Sequence, residues 1–223
     1  MSGEIIRPFG PSIGKYRLPE DLIKDFNNDC NKISADEELS LQHDMSDSLV
    51  GKVSQEPTIS TEVLQKHYMF FHNIFADFVK DFNKLQSPTV GGNENLIGID
   101  SSVAIKTIVQ SAWYVRSFAG DYNPFHMHPG AVLSCAGYLK TPDWEEELNE
   151  DMQDHHGLTH GCLAFKYGDH TSLSLVSHVV RPRVGDFYVF PAWLQHGVYP
   201  FKSPGERRTF SINVVTQFAK QES

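Results

Sequence analysis

The chain has few cysteines, which limits the ways in which it can be held together. Its 223 residues include three, Cys30, Cys135 and Cys162, an odd number without the close spacing of a disulfide framework. A reducing compartment is the natural setting for such a chain, and we expect it in the cytoplasm. A chain of this length can bury a full core without cross-links.

Other absences exclude whole classes of function. No stretch approaches the roughly 18 apolar residues that span a membrane, and the N-terminal sequence MSGEIIRPFGPS lacks an apolar signal core. A net charge of −9 without a long basic run argues against a nucleic-acid partner. The chain has no Walker lysine loop, no G-x-G-x-x-G and no C-x-x-C. Residues 10–14 fit G-x-S-x-G but come too early for the strand that must precede a nucleophilic serine.

Two stretches of the first half show helical spacing. Leu18-Pro19-Glu20-Asp21 places a proline and two acids in a first helical turn, and apolar residues follow. Ser60 resembles an N-cap, and the apolar spacing after it predicts the longest helix, which ends at about Leu85. Residues 34–58 are polar and serine-rich, and we expect a loop there, with at most a short helix.

From residue 102 onward, short β-branched and aromatic runs alternate with glycine, proline and aspartate. Such a pattern predicts a β-sandwich or barrel. We therefore expect a mainly β fold with N-terminal helices: an N-terminal helical and extended region, 1–100, packing on a core, 101–223, in one structural domain overall. The acidic stretch 142–154 is an insert or short helix. Strands are predicted near residues 103–118, 124–128, 131–140, 161–167, 171–181, 186–190, 196–199 and 207–218.

His126 and His128 form the first candidate for chemistry. Pro124, Pro129 and Gly130 favour a strand here, and residues i and i+2 of a strand point to the same side. The pair could form half of a metal site; two exposed histidines at a strand edge are the alternative. His196 follows the apolar strand 186–190, where a double-stranded β-helix (a jelly roll, as in cupins) would need its distal metal ligand; an exposed histidine after a core strand is the alternative.

The last predicted strand is the third candidate. Alternation puts Arg207, Thr209, Ser211 and Asn213 on one face, and Phe210 and its apolar neighbours on the other. An arginine on an inner face is costly to bury alone, and a carboxylate ligand would satisfy it with two parallel hydrogen bonds. An outward-facing arginine on an edge strand is the alternative.

Together these segments resemble the 2-oxoglutarate- and Fe(II)-dependent oxygenases, in particular small, often phage-encoded members that are distantly similar to prolyl hydroxylases. The resemblance runs from Pro8-Phe9-Gly10 through Trp113, His126-x-His128-Pro129-Gly130 and residues 133–139 to Gly185–His196 and Arg207-x-Thr209-x-Ser211-x-Asn213. It implies a double-stranded β-helix, Fe(II) as the metal, and 2-oxoglutarate and O2 as co-substrates. The substrate would be a small molecule or a protein side chain.

The resemblance also implies roles for single residues. His126 and His196 match metal ligands, and Arg207, with Tyr138, Thr209 and Ser211, matches the groups that bind the far carboxylate of 2-oxoglutarate. Trp113 would line the pocket or pack beneath it. We also expect a homodimer, because antiparallel edge strands and N-terminal helices often pair.

One departure from the family pattern keeps other hypotheses open. The usual motif is His-x-Asp or His-x-Glu, whereas this chain has His128 at the carboxylate position, so the site would have three histidines. Asp121 or Asp169 could instead supply the carboxylate. A three-histidine enzyme that does not use 2-oxoglutarate, either another dioxygenase or a zinc hydrolase, is the first alternative. A non-enzymatic jelly-roll binding module is the second.

Five further histidines are weaker candidates. His67 and His72 lie on the long predicted helix, where histidines usually pack or face solvent. His155, His156 and His160 form a second cluster, for which we favour a loop that covers the pocket over an auxiliary metal site.

Overall fold

The computed structural model describes residues 4–6, 10–43, 55–86, 103–143 and 159–220. These ranges leave out the acidic stretch from residue 144 onward and the residues that follow the long predicted helix, 87–102. Three helices are present where helical spacing or a short helix was expected: α1 (Glu20–Ala35), α2 (Glu37–His43) and α3 (Thr61–Gln86). Pro19 precedes α1 in an extended conformation, and Glu20 and Asp21 lie at its positive end. Among the described helices, none is long and apolar enough to cross a membrane.

Ten strands complete the described fold. The first two are β1 (Glu4–Ile6) and β2 (Ile13–Arg17), in a segment that the sequence pattern marked only as extended. The other eight match the predicted strands in order: β3 (Val103–Ser117), β4 (Asn123–His126), β5 (Leu133–Lys140), β6 (Leu163–Lys166), β7 (Ser177–Val180), β8 (Asp186–Pro191), β9 (Gln195–Val198) and β10 (Arg207–Lys220).

The strand expected over 171–181 is shorter than the pattern suggested. Ser174 accepts and donates hydrogen bonds within residues 169–174, and Leu173 has a φ of 65°, so a turn occupies this stretch and β7 begins only at Ser177. Local side-chain hydrogen bonds to the backbone compete with a sheet ladder in this way.

Two antiparallel sheets form the core of the fold. The larger has the order β1-β2-β8-β5-β10-β3, and the smaller has the order β4-β9-β6-β7. One apolar cluster joins the two sheets, with Tyr138 and Phe190 from the larger and Leu163 and Phe165 from the smaller. The expected mainly β architecture, a double-stranded β-helix with N-terminal helices, is confirmed. Since β1 and β2 join a sheet built from later residues, the division of the chain at residue 100 stays a prediction.

A second apolar cluster lies between the larger sheet and the helices. Its centre is Phe210 of β10, whose ring lies 4.8 Å from that of Phe26 in α1 and 5.7 Å from that of Phe71 in α3. Gly137 lies opposite Phe210 in the β5–β10 pair, and a Cβ there would be 2.2 Å from the ring of Phe210. Only glycine therefore fits at this position.

An ion-pair network fastens α1 to the beginning of β10. The buried Arg208 guanidinium donates to both carboxylate oxygens of Glu206, at 2.8 and 2.9 Å, and to the Asn27 side chain of α1 at 3.0 Å. Arg116 of β3 donates to the same carboxylate at 2.7 Å. Burial alone would raise the pKa of Glu206, but the hydrogen bonds from Arg208 and Arg116 outweigh it and lower the pKa from 4.5 to about 2.

We expect Glu206→Gln to lower the free energy of unfolding at pH 7 by on the order of 3 kcal/mol, because Arg208 and Arg116 lose a buried counter-charge. Since the folded-state pKa lies below the unfolded one, the carboxylate stabilises the fold fully above pH 4.5, and this contribution is lost as the pH falls towards 2. Denaturant unfolding between pH 7 and 3 measures this, with the exposed Glu37→Gln as control. If the difference in the free energy of unfolding between the native protein and Glu206→Gln stays the same from pH 7 to pH 3, the role assigned to Glu206 is wrong.

Candidate metal centre

The pairing of β4 with β9 brings His126 and His196 together. The two residues are direct partners in the antiparallel register, and their ring centroids lie 4.4 Å apart. Side chains of directly opposed residues share one face of a sheet, so both imidazoles project towards the space between the sheets. The sequence pattern placed one histidine on each strand, and the register makes them neighbours.

His128 joins this pair from the loop that follows β4. Its backbone N–H donates to the Ala192 carbonyl at 2.9 Å, which ties the loop to the turn between β8 and β9. Its Nε2 lies 3.2 Å from Nε2 of His196. His126, His128 and His196 each offer a ligand atom, and these atoms all lie within 4.8 Å of one another.

Backbone carbonyls fix the orientation of two of the rings. His126 donates from Nδ1 to the Pro124 carbonyl at 2.8 Å, and His196 donates from Nδ1 to the Leu194 carbonyl at 2.9 Å. Because a carbonyl can only accept, Nδ1 carries the proton in each neutral ring, and Nε2 keeps its lone pair. Metal-binding histidines are commonly oriented by this kind of hydrogen bond.

Burial keeps the inner histidines neutral. Burial first, and then the nearby charge of His126, lower the pKa of His128 to about 4 and that of His196 to about 3. The ring of Trp113 lies 5.6 Å from that of His128, and the ring of Phe190 lies 4.6 Å from that of His196. Trp113 thus lines the cavity beside the histidines. Neutral imidazole is the form that binds metal.

The donor set fits a divalent transition-metal ion. Two nitrogens bound to one ion at about 2.1 Å, as in zinc–imidazole bonds, would be roughly 3.0 to 3.4 Å apart, and the observed 3.2 Å lies in that range. Within the described ranges, the group contains no carboxylate. Asp121 instead accepts a hydrogen bond from the Phe118 N–H at 2.9 Å, and Asp169 is exposed on a turn, so neither takes the place of His128.

Arg207 lines the same cavity as the three histidines. It is 1% exposed, and its Nη2 donates to Ser117 Oγ at 2.9 Å. Its Nη1 is buried and has no hydrogen-bond partner among the residues that the structure describes. Burial lowers the pKa of Arg207, yet a guanidinium keeps its charge in proteins. A buried cation with a donor that lacks a partner among the described residues therefore lines the same cavity as the three histidines.

Hydroxyl groups surround this guanidinium. Tyr138 of β5 lies directly opposite Thr209 of β10, and Ser211 follows two residues later on the same face. All three line the cavity. Burial raises the pKa of Tyr138, although the Arg207 charge opposes this, so its hydroxyl stays protonated and can donate. The predicted alternation holds, since Phe210 and Ile212 pack on the helix side.

Two polar residues of the cavity were not singled out from the sequence. Glu56 lies in a segment that pairs with β3 through the bridges Gln55–Arg116 and Thr58–Trp113, and it is 5% exposed. Asn123 opens β4, three residues before His126. Both line the cavity. The polar stretch around residue 56 has no periodicity, so no sequence pattern could have revealed its pairing with β3.

The remaining described histidines lie away from the cluster. His67 contacts Asp25 at 2.7 Å, and His72 contacts Thr107 at 3.0 Å, so both pack through hydrogen bonds. His160 lies in a short turn and is not part of the metal-binding group. His155 and His156 lie outside the described residues, so a loop that covers the pocket stays a prediction.

Comparison with known proteins agrees with this arrangement. Residues 111–213, which hold all three histidines and Arg207, match the model of the family described as "Putative 2OG-Fe(II) oxygenase". This match identifies the segment as a 2OG-Fe(II) oxygenase core. The resemblance stated from the sequence is confirmed over this segment, and the members of the matched family are oxidoreductases that use Fe(II) and 2-oxoglutarate. No curated protein sequence matches the chain.

Solved structures of two prolyl hydroxylases and of AviO1 share the fold. A Pseudomonas putida prolyl-4-hydroxylase is 15% identical, with a TM-score of 0.54 over 91% of each chain. A Trichoplax adhaerens prolyl hydroxylase, in complex with a peptide fragment of the hypoxia inducible factor oxygen degradation domain, is 10% identical, with a TM-score of 0.54 over 91% of this chain and 83% of that one. AviO1 from Streptomyces viridochromogenes is 14% identical, with a TM-score of 0.51 over 91% and 89%.

We expect His126→Ala, His128→Ala and His196→Ala each to weaken Co(II) or Fe(II) binding more than about 100-fold, because even residues that only orient a metal ligand contribute 10- to 100-fold. Anaerobic titration calorimetry measures the affinity, and circular dichroism checks the fold. His72→Gln is the control, since His72 lies on α3 against Thr107. Affinity within threefold of the native value in a histidine variant would exclude that residue as a ligand.

Proposed function

We propose that the protein hydroxylates a peptide side chain or a small molecule, with Fe(II) held by His126, His128 and His196 and the far carboxylate of 2-oxoglutarate bound to Arg207. One observation carries this proposal: a fully buried guanidinium with a free Nη1 lines the same cavity as three converging imidazoles. Burial disfavours this cation, the charge of Asp121 only partly offsets that burial, and a dianionic keto acid would supply further counter-charge.

The residues on β10 and β5 would orient the co-substrate. Arg207 offers a planar donor pair that matches a carboxylate, while Tyr138, Thr209 and Ser211 offer hydroxyl donors beside it. With its far carboxylate held there, the keto acid end of 2-oxoglutarate is directed towards the histidines on the opposite sheet. Co-substrate and metal would thus be brought together by two different sheets, the larger one with β10 and β5 and the smaller one with β4 and β9.

The three histidines would bind the metal as neutral imidazoles and so would not reduce its charge. Three neutral imidazoles leave the full positive charge of the ion in place, which favours binding of an anionic keto acid over water. The bound iron supplies oxidative decarboxylation of 2-oxoglutarate to succinate and hydroxylation of the substrate. Trp113, Leu163, Phe190 and Val198 line the cavity and exclude water from this space.

The substrate class, the cellular compartment and the oligomeric state of the protein are also proposed. The Trichoplax adhaerens neighbour is seen with a peptide, which supports a peptide among the substrates considered. Cys30, Cys135 and Cys162 are buried and form no disulfide, which suits a reducing cytoplasm. We also propose a homodimer, paired through edge strands and N-terminal helices, and no nucleic-acid partner, since the net charge is −9.

His128 favours one alternative function. Because it occupies the position of the usual carboxylate ligand, the site also resembles a three-histidine zinc or dioxygenase centre in which Arg207 would bind a substrate carboxylate directly. Metal analysis of protein from unsupplemented cells separates iron from zinc, and co-substrate dependence separates the two oxygenase hypotheses.

We expect iron-loaded protein with ascorbate to convert 2-oxoglutarate slowly to succinate even without a substrate, and His196→Ala to abolish this turnover. Succinate is measured by mass spectrometry against metal-free protein and zinc-loaded protein as controls. No succinate, together with no calorimetric binding of 2-oxoglutarate to the iron-loaded protein, would rule the proposal out in favour of the alternative.

We expect Arg207→Ala to weaken 2-oxoglutarate binding about 100-fold, because it removes two charge-assisted hydrogen bonds. Arg208 is the matched control: it is the next residue, equally buried, but paired with Glu206 and Asn27 on the other face. Arg208→Ala should therefore lower stability while leaving the affinity of the folded protein within about threefold. Equal losses of affinity in calorimetry would contradict the assignment.

A further inference from the structure

A register shift in the smaller sheet turns Asn123 towards the cavity. Asn123 lies opposite Val198 and His126 lies opposite His196, so β4 accommodates one extra residue between the two pairs. Val198 and His196 are two residues apart on β9 and therefore share a face. Their partners in β4 share it too, although they are three residues apart. In a regular strand Asn123 would face away from the histidines, and the extra residue re-aims it.

Gly197 makes room for this shift. A Cβ at Gly197 would lie 3.0 Å from the Asn123 carbonyl oxygen and 3.1 Å from the Phe125 nitrogen, closer than side chains normally approach backbone atoms. Pro124 lies within the shifted stretch, on an edge strand, where a residue that cannot donate to a ladder is tolerated. The orientation of Asn123 is therefore built into the paired backbones of β4 and β9, as a residue that selects a substrate requires.

Within the described part of the chain, the side-chain oxygen of Asn123 has no hydrogen-bond donor. Oδ1 is buried, although Asn123 lines the cavity. Its cross-strand partner Val198 and the partner of Val198 on β6, Leu163, also line the cavity and are apolar. Because a buried amide oxygen without a donor is costly, we expect the molecule that fills this space to bring a donor with it.

Neither the metal nor the co-substrates can supply this donor. 2-Oxoglutarate offers two carboxylates and a ketone, all of which only accept hydrogen bonds, and O2 carries no N–H or O–H group. The protein donors of the proposed co-substrate site, Arg207 and Tyr138 among them, lie on the larger sheet, whereas Asn123 lies on the smaller one. The donor to Asn123 would therefore come with the substrate.

We infer that Asn123 selects the substrate, by accepting at Oδ1 a hydrogen bond from a substrate amide N–H or hydroxyl group. This inference rests on the proposed function, because it takes Arg207 and the metal to be occupied by 2-oxoglutarate. An amide oxygen carries no net charge, so an uncharged donor satisfies it. A molecule of the same shape without a donor leaves the oxygen unpaired beside apolar walls, and the site rejects it for that reason.

Matched probes test this without a known substrate. Co(II)-loaded protein with 2-oxoglutarate is titrated with N-methylacetamide and N,N-dimethylacetamide, of which only the first has an N–H, and with the isomers butan-1-ol and 1-methoxypropane. The metal-dependent relaxation of the probe protons gives each dissociation constant. We expect the donor to bind about fivefold more tightly in at least one pair, and the pair with the larger ratio distinguishes an amide from a hydroxyl substrate. Equal affinities within both pairs would overturn the inference.

A variant of Asn123 assigns the preference to this residue. Asn123→Leu keeps the size of the side chain but removes the acceptor, and the ratio of dissociation constants should fall to about one. Asn73→Leu, at an exposed position of α3, makes the same change away from the cavity and should retain the native ratio. If Asn123→Leu does not fold by circular dichroism, Asn123→Ala replaces it. A preference that survives in the folded variant would contradict the role of Asn123.

Two further readouts separate this inference from the proposed function. Asn123→Leu should bind Co(II) and 2-oxoglutarate within about threefold of the native protein. A larger loss would show that the Asn123 amide binds the ion or the co-substrate, and would overturn its role in substrate selection. Metal-dependent relaxation of the methylene protons of 2-oxoglutarate reports the co-substrate site of the native protein, and its absence would refute the proposed function itself.

Discussion

The antiparallel register of β4 and β9 is the constraint on which the site depends, because it sets His126 opposite His196. A slip of one residue between these strands would turn one imidazole to the other face of the sheet. Carbonyl acceptors at Pro124 and Leu194, each two residues before a histidine, then orient the rings so that Nε2 faces the shared space. Backbone pairing and local geometry thus bring the three imidazoles together.

The two sheets contribute opposite chemistry to one cavity. The smaller sheet and its loop supply neutral nitrogen donors, whereas β10 of the larger sheet supplies a permanent cation, Arg207. Strand alternation places the side chains of the adjacent Arg207 and Arg208 on opposite faces of β10. Arg208 donates hydrogen bonds to Glu206 and Asn27, whereas Nη1 of Arg207 has no partner among the described residues. Arg208 stabilises the attachment of α1, and Arg207 keeps a donor available for an anion.

Much of the candidate site could be predicted from the sequence, because the positions of its residues follow the periodicity of single strands. The spacing of His126 and His128 and the alternation around Arg207 need only the two-residue period of a strand. The role of Trp113 stayed open, since either face of β3 was compatible with its pattern. Glu56 was missed because its pairing with β3 joins segments about 60 residues apart in a polar stretch without periodicity. The short strand β2 was missed for a related reason: only its partner β8 makes it a strand.

The central claim is that three imidazoles and no carboxylate hold the metal, and a crystal structure of anaerobically prepared Fe(II)-loaded protein tests it most directly. We expect one ion bonded to Nε2 of His126, His128 and His196 at about 2.1 Å. An ion bound by only two of these nitrogens, with Glu56, Asp121 or another carboxylate completing its coordination, would contradict it.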